Sequence, residues 1–471
     1  MSQPTIAATL TSSLAALVTP VAATCRRPDT AAVFQTLTAG LQLNLGRHTI
    51  SQLLLSLGQG EHDHSAAYRL FSQGRFDLDA GRRALLAGVL AGHDPEAPLP
   101  VVVDATHLPR TSRTLVGVGL SRCPRTPVWA RGIHWAQRWE GLSALLPCSP
   151  QGDSRAVPLS FAPAPTPKAT PWPGHPACTE GEAALAALRL VQADLAALGQ
   201  PDRPVLALAD GQYSGAPFLR ELPADVVLLA RCAKNRALYA LPDGTPTGGR
   251  PRLYGAKAPR PDHDLTGKTG WRRCSLTIRD RTIPVRFRLR GPYRVKGAPD
   301  RPVFLLVVGG VRNHPKYKRR DPTFWLVTAT QDEGGAWRLP YAVATLLGWA
   351  WQRWEVEVLH RELKSGFGLG EQQATTPVAA CTTIQWVVWA YACLVLAAYQ
   401  TWGWGPGPPG PKWWRGRRWT GRSVIRALRT AGWGDGAGGF WPGWPAMPGS
   451  CPERAPPLPP LVAFATQASR L

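Results

Sequence analysis

Two short apolar runs that each end in an aspartate constrain the fold of this chain most strongly. LPVVVDATHL (Leu99–Leu108) carries a run of valines up to Asp104, and PVLALADGQYSG (Pro204–Gly215) carries a second run up to Asp210. Between them, EGEAALAALRLVQADLAALG has the apolar spacing of an amphipathic helix. A strand, a helix and a strand in this order predict an α/β layer with parallel pairing.

The residues before the first of these strands, about 30–95, predict a helical segment. HTISQLLLSLG (His48–Gly58) spaces its apolar residues along one helix face, and HSAAYRLF (His64–Phe71) follows after a short polar turn. A helix, a turn and a helix are used by many proteins to read DNA, which makes Tyr68 and Arg69 candidate DNA contacts. Helical hairpins are also common packing units, so both interpretations stay open.

The positive charge of the chain is concentrated in one segment. The whole sequence has 54 Lys and Arg against 31 Asp and Glu, and residues 231–320 alone have 23 Lys and Arg against 5 Asp and no Glu. Strand-like stretches such as CSLTIRDRTIPVRFRLR (Cys274–Arg290) alternate there with Pro and Gly turns, which predicts a basic, β-rich insertion. This surplus favours a surface that follows the phosphate backbone of nucleic acid, with a solvated charged face as the simpler alternative. The candidate contacts include Arg286, Arg288, Lys318 and Arg319.

Other features argue against a membrane protein and against a cysteine framework. The longest apolar run, Ile384–Tyr399, is shorter than the roughly 20 residues that a membrane-spanning helix needs, and it predicts a buried helix instead. The first residues lack the basic start of a signal peptide, so we expect a cytoplasmic protein, associated with the nucleoid. Nine cysteines without a C-x-x-C pair favour neither a zinc site nor a disulfide framework.

The stretch WQRWEVEVLHRELKSGFGL, residues 351–369, holds three glutamates on one predicted helix. At about 100° per residue, a helix places four of its side chains on one narrow stripe: Arg353, Glu357, Arg361 and Lys364. Glu355 and Glu362 point to the opposite side, and a third, apolar side would pack on the sheet: Val356, Leu359 and Leu363. Glu357 is thus the glutamate with three cations on its own face, although an ordinary salt-bridged surface helix explains this stretch when it is taken alone.

The three acids together predict a metal-dependent reaction on phosphate. Ligands of open α/β sheets bind at the carboxyl ends of the strands, so Asp104 and Asp210 are expected to face one crevice, with Glu357 supplied by the later helix. Hard divalent cations such as Mg²⁺ bind through a few carboxylates together with water and phosphate oxygens. Two such ions about 3.5–4 Å apart can activate water and stabilise the leaving oxygen in phosphodiester cleavage. For either aspartate alone, a turn-forming role is the alternative.

Three motifs within about residues 30–400 occur in the order seen in a known family. They are VVVDAT with Asp104, LALADGQYS with Asp210, and R-W-E-V-E-x(6)-K from Arg353 through Glu357 to Lys364. Together they resemble the DDE transposases of bacterial insertion sequences, in the branch with a β-rich insertion before the catalytic glutamate. The last signature of that family reads Tyr, Arg, Glu, Lys at fixed spacing, and its tyrosine position holds Ala350 here.

The resemblance implies an α/β fold with an RNase H-like catalytic core and a β-rich insertion, preceded by a helical N-terminal domain. Asp104, Asp210 and Glu357 would hold two Mg²⁺ ions, for which Mn²⁺ would substitute. Arg353, Arg361 and Lys364 would contact DNA. The expected segments are a helical, DNA-binding domain (1–95), the first part of the core (96–230), the basic insertion (231–320), the second part of the core (321–400) and a tail rich in Pro, Gly, Trp and Arg (401–471).

The predicted function is that of a transposase that hydrolyses DNA at element ends and joins them to target DNA. Its expected partners are the terminal inverted repeats and target DNA, bound by a homodimer. Two alternatives remain: a degenerate or domesticated DNA-binding derivative, and a metal-dependent defence nuclease that cleaves without joining. A glycosidase with Asp104 and Asp210 as acid and base would explain neither the charge nor Glu357. The sequence has no Walker loop, dinucleotide fingerprint or nucleophile elbow.

Overall fold

The structure is a computed structural model that describes residues 6–434 except 62, 92, 124–131, 148, 150–151, 244–250, 279–280, 311–320 and 409–417. The helices are α1 (Ile6–Ala22), α2 (Pro28–Leu43), α3 (Ile50–Ser56), α4 (Ser65–Ser72), α5 (Leu78–Leu90), α6 (Glu180–Ala197), α7 (Ala216–Glu221), α8 (Val343–Gln352), α9 (Glu355–Gly366), α10 (Pro377–Trp402) and α11 (Gly421–Gly434). The strands are β1 (Leu99–Pro109), β2 (Val118–Arg122), β3 (Ile133–Leu146), β4 (Arg155–Pro163), β5 (Val205–Ala209), β6 (Val226–Arg231), β7 (Tyr239–Ala240), β8 (Arg272–Ile278), β9 (Arg281–Val295), β10 (Ala298–Val308), β11 (Thr323–Thr328), β12 (Thr330–Gln331) and β13 (Trp337–Arg338).

The first half of the main sheet contains the strands that lead to the two aspartates. β1 pairs antiparallel with β3 and parallel with β5, and β5 pairs parallel with β6. β2 and β4 each pair antiparallel with β3. Because α6 connects β4 to β5, the predicted α/β layer with parallel pairing is confirmed. The valines of β1 are fully buried, as expected for a strand covered on both faces.

The strands of the basic segment extend this same sheet. β6 pairs antiparallel with β11, β11 with β10, and β10 with β9, so the sheet continues from the core into the insertion. Arg231, at the end of β6, pairs directly with Trp325 of β11. The chain therefore leaves the core and returns to it at neighbouring positions of one sheet.

The N-terminal helices pack around one long interior helix, α10. This helix is long and apolar enough to cross a membrane by length and composition, and 89% of its apolar window is buried within the protein. The prediction of a buried helix over Ile384–Tyr399 is therefore confirmed. The predicted helix, turn and helix are also present as α3 and α4, and the side chain of Thr49 caps α3 by accepting a hydrogen bond from the Gln52 backbone N–H.

The stretch that carries Glu357 forms two helices, whereas the sequence predicted a single long one. α8 ends at Gln352 and α9 begins at Glu355. Between them the backbone makes hydrogen bonds to the residue three positions earlier, as in a 3-10 turn: the Trp354 N–H donates to Trp351 O, and the Val356 N–H donates to Arg353 O. The predicted apolar side of α9 is confirmed, since its three members are at most 1% exposed: Val356, Leu359 and Leu363.

The segment expected as a tail contains the helix α11. The residues just before it return to the core, where Trp419 is 1% exposed and accepts a 2.6 Å hydrogen bond from Arg155 Nη2 through its backbone oxygen. The Trp419 ring also stacks on Trp404 at 5.5 Å.

Candidate active site

Asp104 is the sixth of the eleven residues of β1 and comes directly after the run of buried valines. The preceding valines are fully buried, and the Asp104 side chain is 20% exposed. Its strand lies between β3 and β5, and Asp104 is opposite Gly141 of β3. The carboxylate is therefore held on the most constrained strand of the sheet.

Asp210 reaches the same end of the sheet from β5. The last parallel pair between β1 and β5 joins Val102 to Leu208, and each aspartate lies two residues beyond that pair. The Asp210 carboxylate is solvent-exposed and caps a short 3-10 helix, Gly211–Ser214, by accepting a hydrogen bond from the Gly211 N–H. Asp210 directly follows the end of β5, as predicted, whereas β1 continues past Asp104 to Pro109 along β3, so the expectation that Asp104 ends its strand is wrong.

Glu357 lies on α9, which contacts β1. Its side chain is 37% exposed, and its Oε1 atom accepts a 2.9 Å hydrogen bond from Nη2 of Arg353. The Arg353 side chain is 9% exposed, so this ion pair is half buried. Both residues belong to the stripe predicted from the sequence, and Arg353 orients the glutamate.

The electrostatics of Asp104 link the three acids. Burial, and then the negative charges of Asp210 and Glu357, raise the pKa of the Asp104 carboxyl to about 7, while the Arg353 guanidinium opposes the rise. Burial is the largest cause of the rise and the two acids add to it, so the raised pKa identifies Asp104 as a buried carboxyl with two negative neighbours.

The donor set has the chemistry of a site for a hard divalent cation. Asp104, Asp210 and Glu357 supply only carboxylate oxygens, the ligand type that Mg²⁺ and Mn²⁺ prefer. Across the described ranges, no three His, Cys, Asp or Glu side chains already form a closed metal-ligand cluster. Glu357 is turned toward Arg353 instead. The residues fit the metal by the chemistry of their donors, and Glu357 would have to exchange its arginine partner for the metal.

A histidine that the sequence analysis passed over lies beside Asp104. His360 Nδ1 is 3.7 Å from Asp104 Oδ2, and its ring packs edge-on against Phe161 at 5.7 Å. Burial, and then the Lys364 charge, lower the pKa of His360 to about 3, so it is neutral near pH 7. The sequence could have indicated His360 as a site residue, because it lies three residues after Glu357 and therefore on the same side of the helix.

A second buried carboxyl, that of Glu140, lies on β3 opposite Ala105, the residue next to Asp104. Glu140 of β3 is fully buried and receives hydrogen bonds from the Tyr213 hydroxyl at 2.9 and 3.0 Å. Burial raises the pKa of Glu140 well above its ordinary value. The sequence analysis quoted Tyr213 within LALADGQYS but gave it no role, and nothing in the local sequence pairs it with Glu140.

The other two glutamates of α9 face the protein interior. Glu355 contacts Nη1 of Arg155 at 3.0 Å and Nη2 of Arg418 at 3.1 Å. Glu362 accepts a 2.6 Å hydrogen bond from the Tyr391 hydroxyl. They point away from Glu357, as predicted, but the surface they face is buried and fixes α9 to the rest of the core.

The predicted DNA contacts near the site differ in exposure. Arg361 is exposed and Lys364 is half-buried on α9, while Arg353 is committed to Glu357. On α4, Tyr68 is 46% exposed and Arg69 is also exposed. These side chains are accessible to a ligand, apart from that of Arg353.

In the insertion, the predicted contacts separate into two kinds. Arg286 is exposed and lies over the Trp271 ring at 4.6 Å. Arg288 is buried and donates to the backbone oxygens of Gly267, at 2.6 Å, and Thr269, with Asp264 at 3.6 Å. Arg288 therefore has a structural role and is not available to a phosphate. Lys318 and Arg319 lie outside the described residues.

A cavity of about 290 Å³ opens beside Arg353. It is lined by aromatic side chains that include Trp325, Trp351 and Trp354, and Ala350 contributes to its wall. The family signature has a tyrosine at the Ala350 position, so a side chain that would narrow this cavity is absent here.

Comparison with known proteins gives a family match and similarities to solved structures. Residues 20–288, more than half of the chain, match the family described as DDE superfamily endonuclease. The matched range includes Asp104 and Asp210 and ends before Glu357. No curated protein matches the chain. The structure is similar to piggyBac transposase in a synaptic complex with hairpin DNA, at 11% identity and a TM-score of 0.36, covering 90% of this chain and 77% of that one. At this TM-score the similarity carries no argument.

Proposed function

The chain belongs to the DDE superfamily endonucleases, and from this membership we propose that Asp104, Asp210 and Glu357 carry out Mg²⁺-dependent hydrolysis at the ends of a mobile element and the joining of those ends to target DNA. The membership confirms the predicted RNase H-like core and a DNA-cleaving DDE endonuclease, and it supports the proposal that this endonuclease is a transposase. Dependence on a divalent metal and a DNA partner follow from it as well. The site residues, the two Mg²⁺ ions and the joining step are the proposal.

One observation carries the assignment of the site. Asp104 and Asp210 each lie two residues beyond the same pair of the parallel strands, and Glu357 contributes to the raised pKa of Asp104. The charges of two acids from distant parts of the sequence, Asp210 and Glu357, thus both act on Asp104. A turn-forming role for the aspartates would not explain the glutamate.

The chain's own residues have separate tasks in the proposed reaction. The three carboxylates would hold two Mg²⁺ ions, which when bound make water a stronger nucleophile and stabilise the leaving oxygen. Arg353 orients Glu357 through their 2.9 Å contact. Arg361 and Lys364, on the same stripe of α9, would hold the phosphates of the cleaved strand. Its 3′-hydroxyl would then attack a phosphate of the target DNA, and as the new P–O bond forms, the bond from that phosphorus to the neighbouring 3′-oxygen of the target strand breaks and leaves a target 3′-hydroxyl.

We also propose a homodimer associated with the nucleoid of the cytoplasm, since two element ends must be held together before they are joined. Sedimentation of the protein with DNA that carries both inverted repeats would measure the number of subunits in the complex. One subunit for each pair of ends would contradict the dimer.

The test of the site uses purified protein on DNA carrying the inverted repeats that flank its gene. Asp104→Asn, Asp210→Asn and Glu357→Gln should each abolish Mg²⁺-dependent nicking and leave DNA binding nearly intact, because they remove metal ligands and not phosphate contacts. Glu333→Gln, an exposed glutamate in the turn between β12 and β13, is the control and should nick normally.

Three outcomes would count against parts of the proposal. Full nicking by any of the three variants would remove that residue from the site. DNA binding by the wild type without any nicking would favour the degenerate DNA-binding derivative. Nicking without joining of a pre-cleaved end would favour the defence nuclease.

A further inference from the structure

The Tyr213 and Glu140 pair is the most deeply buried polar contact near the two aspartates. Both residues are 0% exposed, and the Tyr213 hydroxyl lies 2.9 and 3.0 Å from the two carboxyl oxygens of Glu140. The Tyr213 ring packs edge-on against Phe218 at 5.6 Å, which fixes its direction. A buried carboxyl is retained in a core only where its hydrogen bonds are satisfied, and Tyr213 supplies that bond.

The strand order shows what this contact joins. Glu140 lies on β3, and Tyr213 lies in the 3-10 helix that follows β5 and begins after Asp210. β1 runs between β3 and β5. Glu140 is opposite Ala105, the residue next to Asp104. The hydrogen bond therefore connects β3 to the turn that follows β5. It passes over β1 at Ala105, a small residue next to Asp104.

We propose that Tyr213 and Glu140 are positioning residues that fix the separation between Asp104 and Asp210 and so set the affinity of the site for its metal. Asp104 lies on the bridged strand, and Asp210 lies three residues before Tyr213 in the bridging turn. Neither Tyr213 nor Glu140 touches a reacting atom. The inference rests on the proposed function, because it assumes that the two aspartates bind metal.

A purely structural role is the competing explanation, and the chain contains a matched control for it. Tyr391 is 2% exposed and donates a 2.6 Å hydrogen bond to Glu362, which is 8% exposed. This second buried tyrosine and glutamate pair joins α10 to α9, away from the ends of β1 and β5. Removing the hydroxyl from either tyrosine removes the same chemical contact, but only Tyr213→Phe loosens the aspartates.

The experiment measures Mn²⁺ binding by electron paramagnetic resonance, together with thermal melting, for the full-length wild type, Tyr213→Phe, Tyr391→Phe and Glu140→Gln. Residues that orient metal ligands typically change metal affinity by about 10- to 100-fold when they are replaced. We expect that loss of affinity for Tyr213→Phe, with a corresponding rise in the Mg²⁺ concentration needed for half-maximal nicking. Tyr391→Phe should lower the melting temperature to a similar degree and bind Mn²⁺ like the wild type.

Glu140→Gln distinguishes the hydrogen bond from the charge. Its amide oxygen still accepts from Tyr213, so this conservative variant should retain much of the Mn²⁺ affinity that Tyr213→Phe loses. Wild-type Mn²⁺ affinity in Tyr213→Phe, or an equal loss in Tyr391→Phe, would overturn the inference.

Asp104→Asn separates this result from a failure of the proposed function. If Asp104→Asn does not weaken Mn²⁺ binding, the metal site itself is wrong and the inference falls with it. If Asp104→Asn abolishes binding and Tyr213→Phe has no effect, only the positioning role is wrong.

Discussion

Replacing Glu355 by glutamine is expected to reduce the stability of the protein, whereas replacing Glu357 should remove its activity. The Glu355 side chain is 6% exposed, and its oxygens contact Arg155 at 3.0 Å and Arg418 at 3.1 Å. The Arg155 side chain is itself 4% exposed. Glu355→Gln therefore leaves a buried guanidinium without its counter-charge.

The size of the effect follows from these contacts. Breaking a buried ion pair by removing one partner costs about 3–5 kcal/mol, because the other charge stays in a medium of low dielectric constant. The loss for Glu355→Gln should lie at the lower end of that range, because two contacts of the arginines remain in the variant. The glutamine oxygen still accepts from Arg155, and Arg418 keeps Asp153 at 3.1 Å. A loss of about 3 kcal/mol would lower the melting temperature by about 6 °C, at about 2 °C per kcal/mol in a large domain.

The assay is thermal unfolding followed by tryptophan fluorescence, with nicking measured on the same samples below the transition. Glu357→Gln is the matched variant: because its carboxylate is 37% exposed, it should lower the melting temperature less than Glu355→Gln does while losing activity. An unchanged melting temperature for Glu355→Gln would refute the argument from burial. Loss of nicking by Glu355→Gln at an unchanged melting temperature would place Glu355 in the chemistry.

Four further predictions follow from single side chains. Because the pKa of Asp104 is raised from 3.8 to about 7 and the carboxyl must ionise to bind a cation, Mn²⁺ affinity should rise about tenfold from about pH 6 to about pH 8; a flat profile would contradict this. The same shift means that stability present below the unfolded-state pKa of 3.8 is lost as the pH rises through about 7, so Asp104→Asn should melt above the wild type at about pH 8 and together with it at about pH 3. Arg286→Ala should reduce the slope of log DNA affinity against log salt by about one unit, whereas Arg288→Ala should lower the melting temperature and leave the slope unchanged; the reverse pattern would assign the phosphate contact to Arg288. Lys364→Ala should reduce strand transfer of a pre-cleaved end by about 10- to 100-fold, on the order of 1.4 kcal/mol per factor of ten, at an unchanged melting temperature; equal joining by mutant and wild type would exclude this role.

The neighbourhood of Asp104 and Asp210 could be predicted because the signal for each is local. A buried apolar run leads into each aspartate, and the structure places both two residues beyond a shared pair of β1 and β5, although β1 itself continues to Pro109. The stripe of α9 with Glu357 follows in the same way from helix periodicity. Short-range periodicity therefore gave both the α/β class and the acids of the candidate site.

The partners of buried charges could not be predicted, since they come from distant parts of the chain. Periodicity places Glu355 on the side of the helix opposite Glu357. It does not show that this side is buried, because the Arg155 partner of Glu355 lies 200 residues away in the sequence. The contact between Tyr213 and Glu140 joins residues 73 positions apart. Arg288 looked like one more cation in a basic strand until its carbonyl partners at Gly267 and Thr269 were known.

The pairing of Arg231 with Trp325 has a consequence for how such enzymes diversify. The basic segment begins and ends on adjacent strands, where facing backbones lie about 5 Å apart. A segment with this geometry can be lengthened, shortened or exchanged between lineages without moving β5 or α9, provided that the new sequence covers the free edge of β11. Selection for new DNA sites can therefore act on this segment as an exchangeable cassette, while Asp104, Asp210 and Glu357 keep their positions.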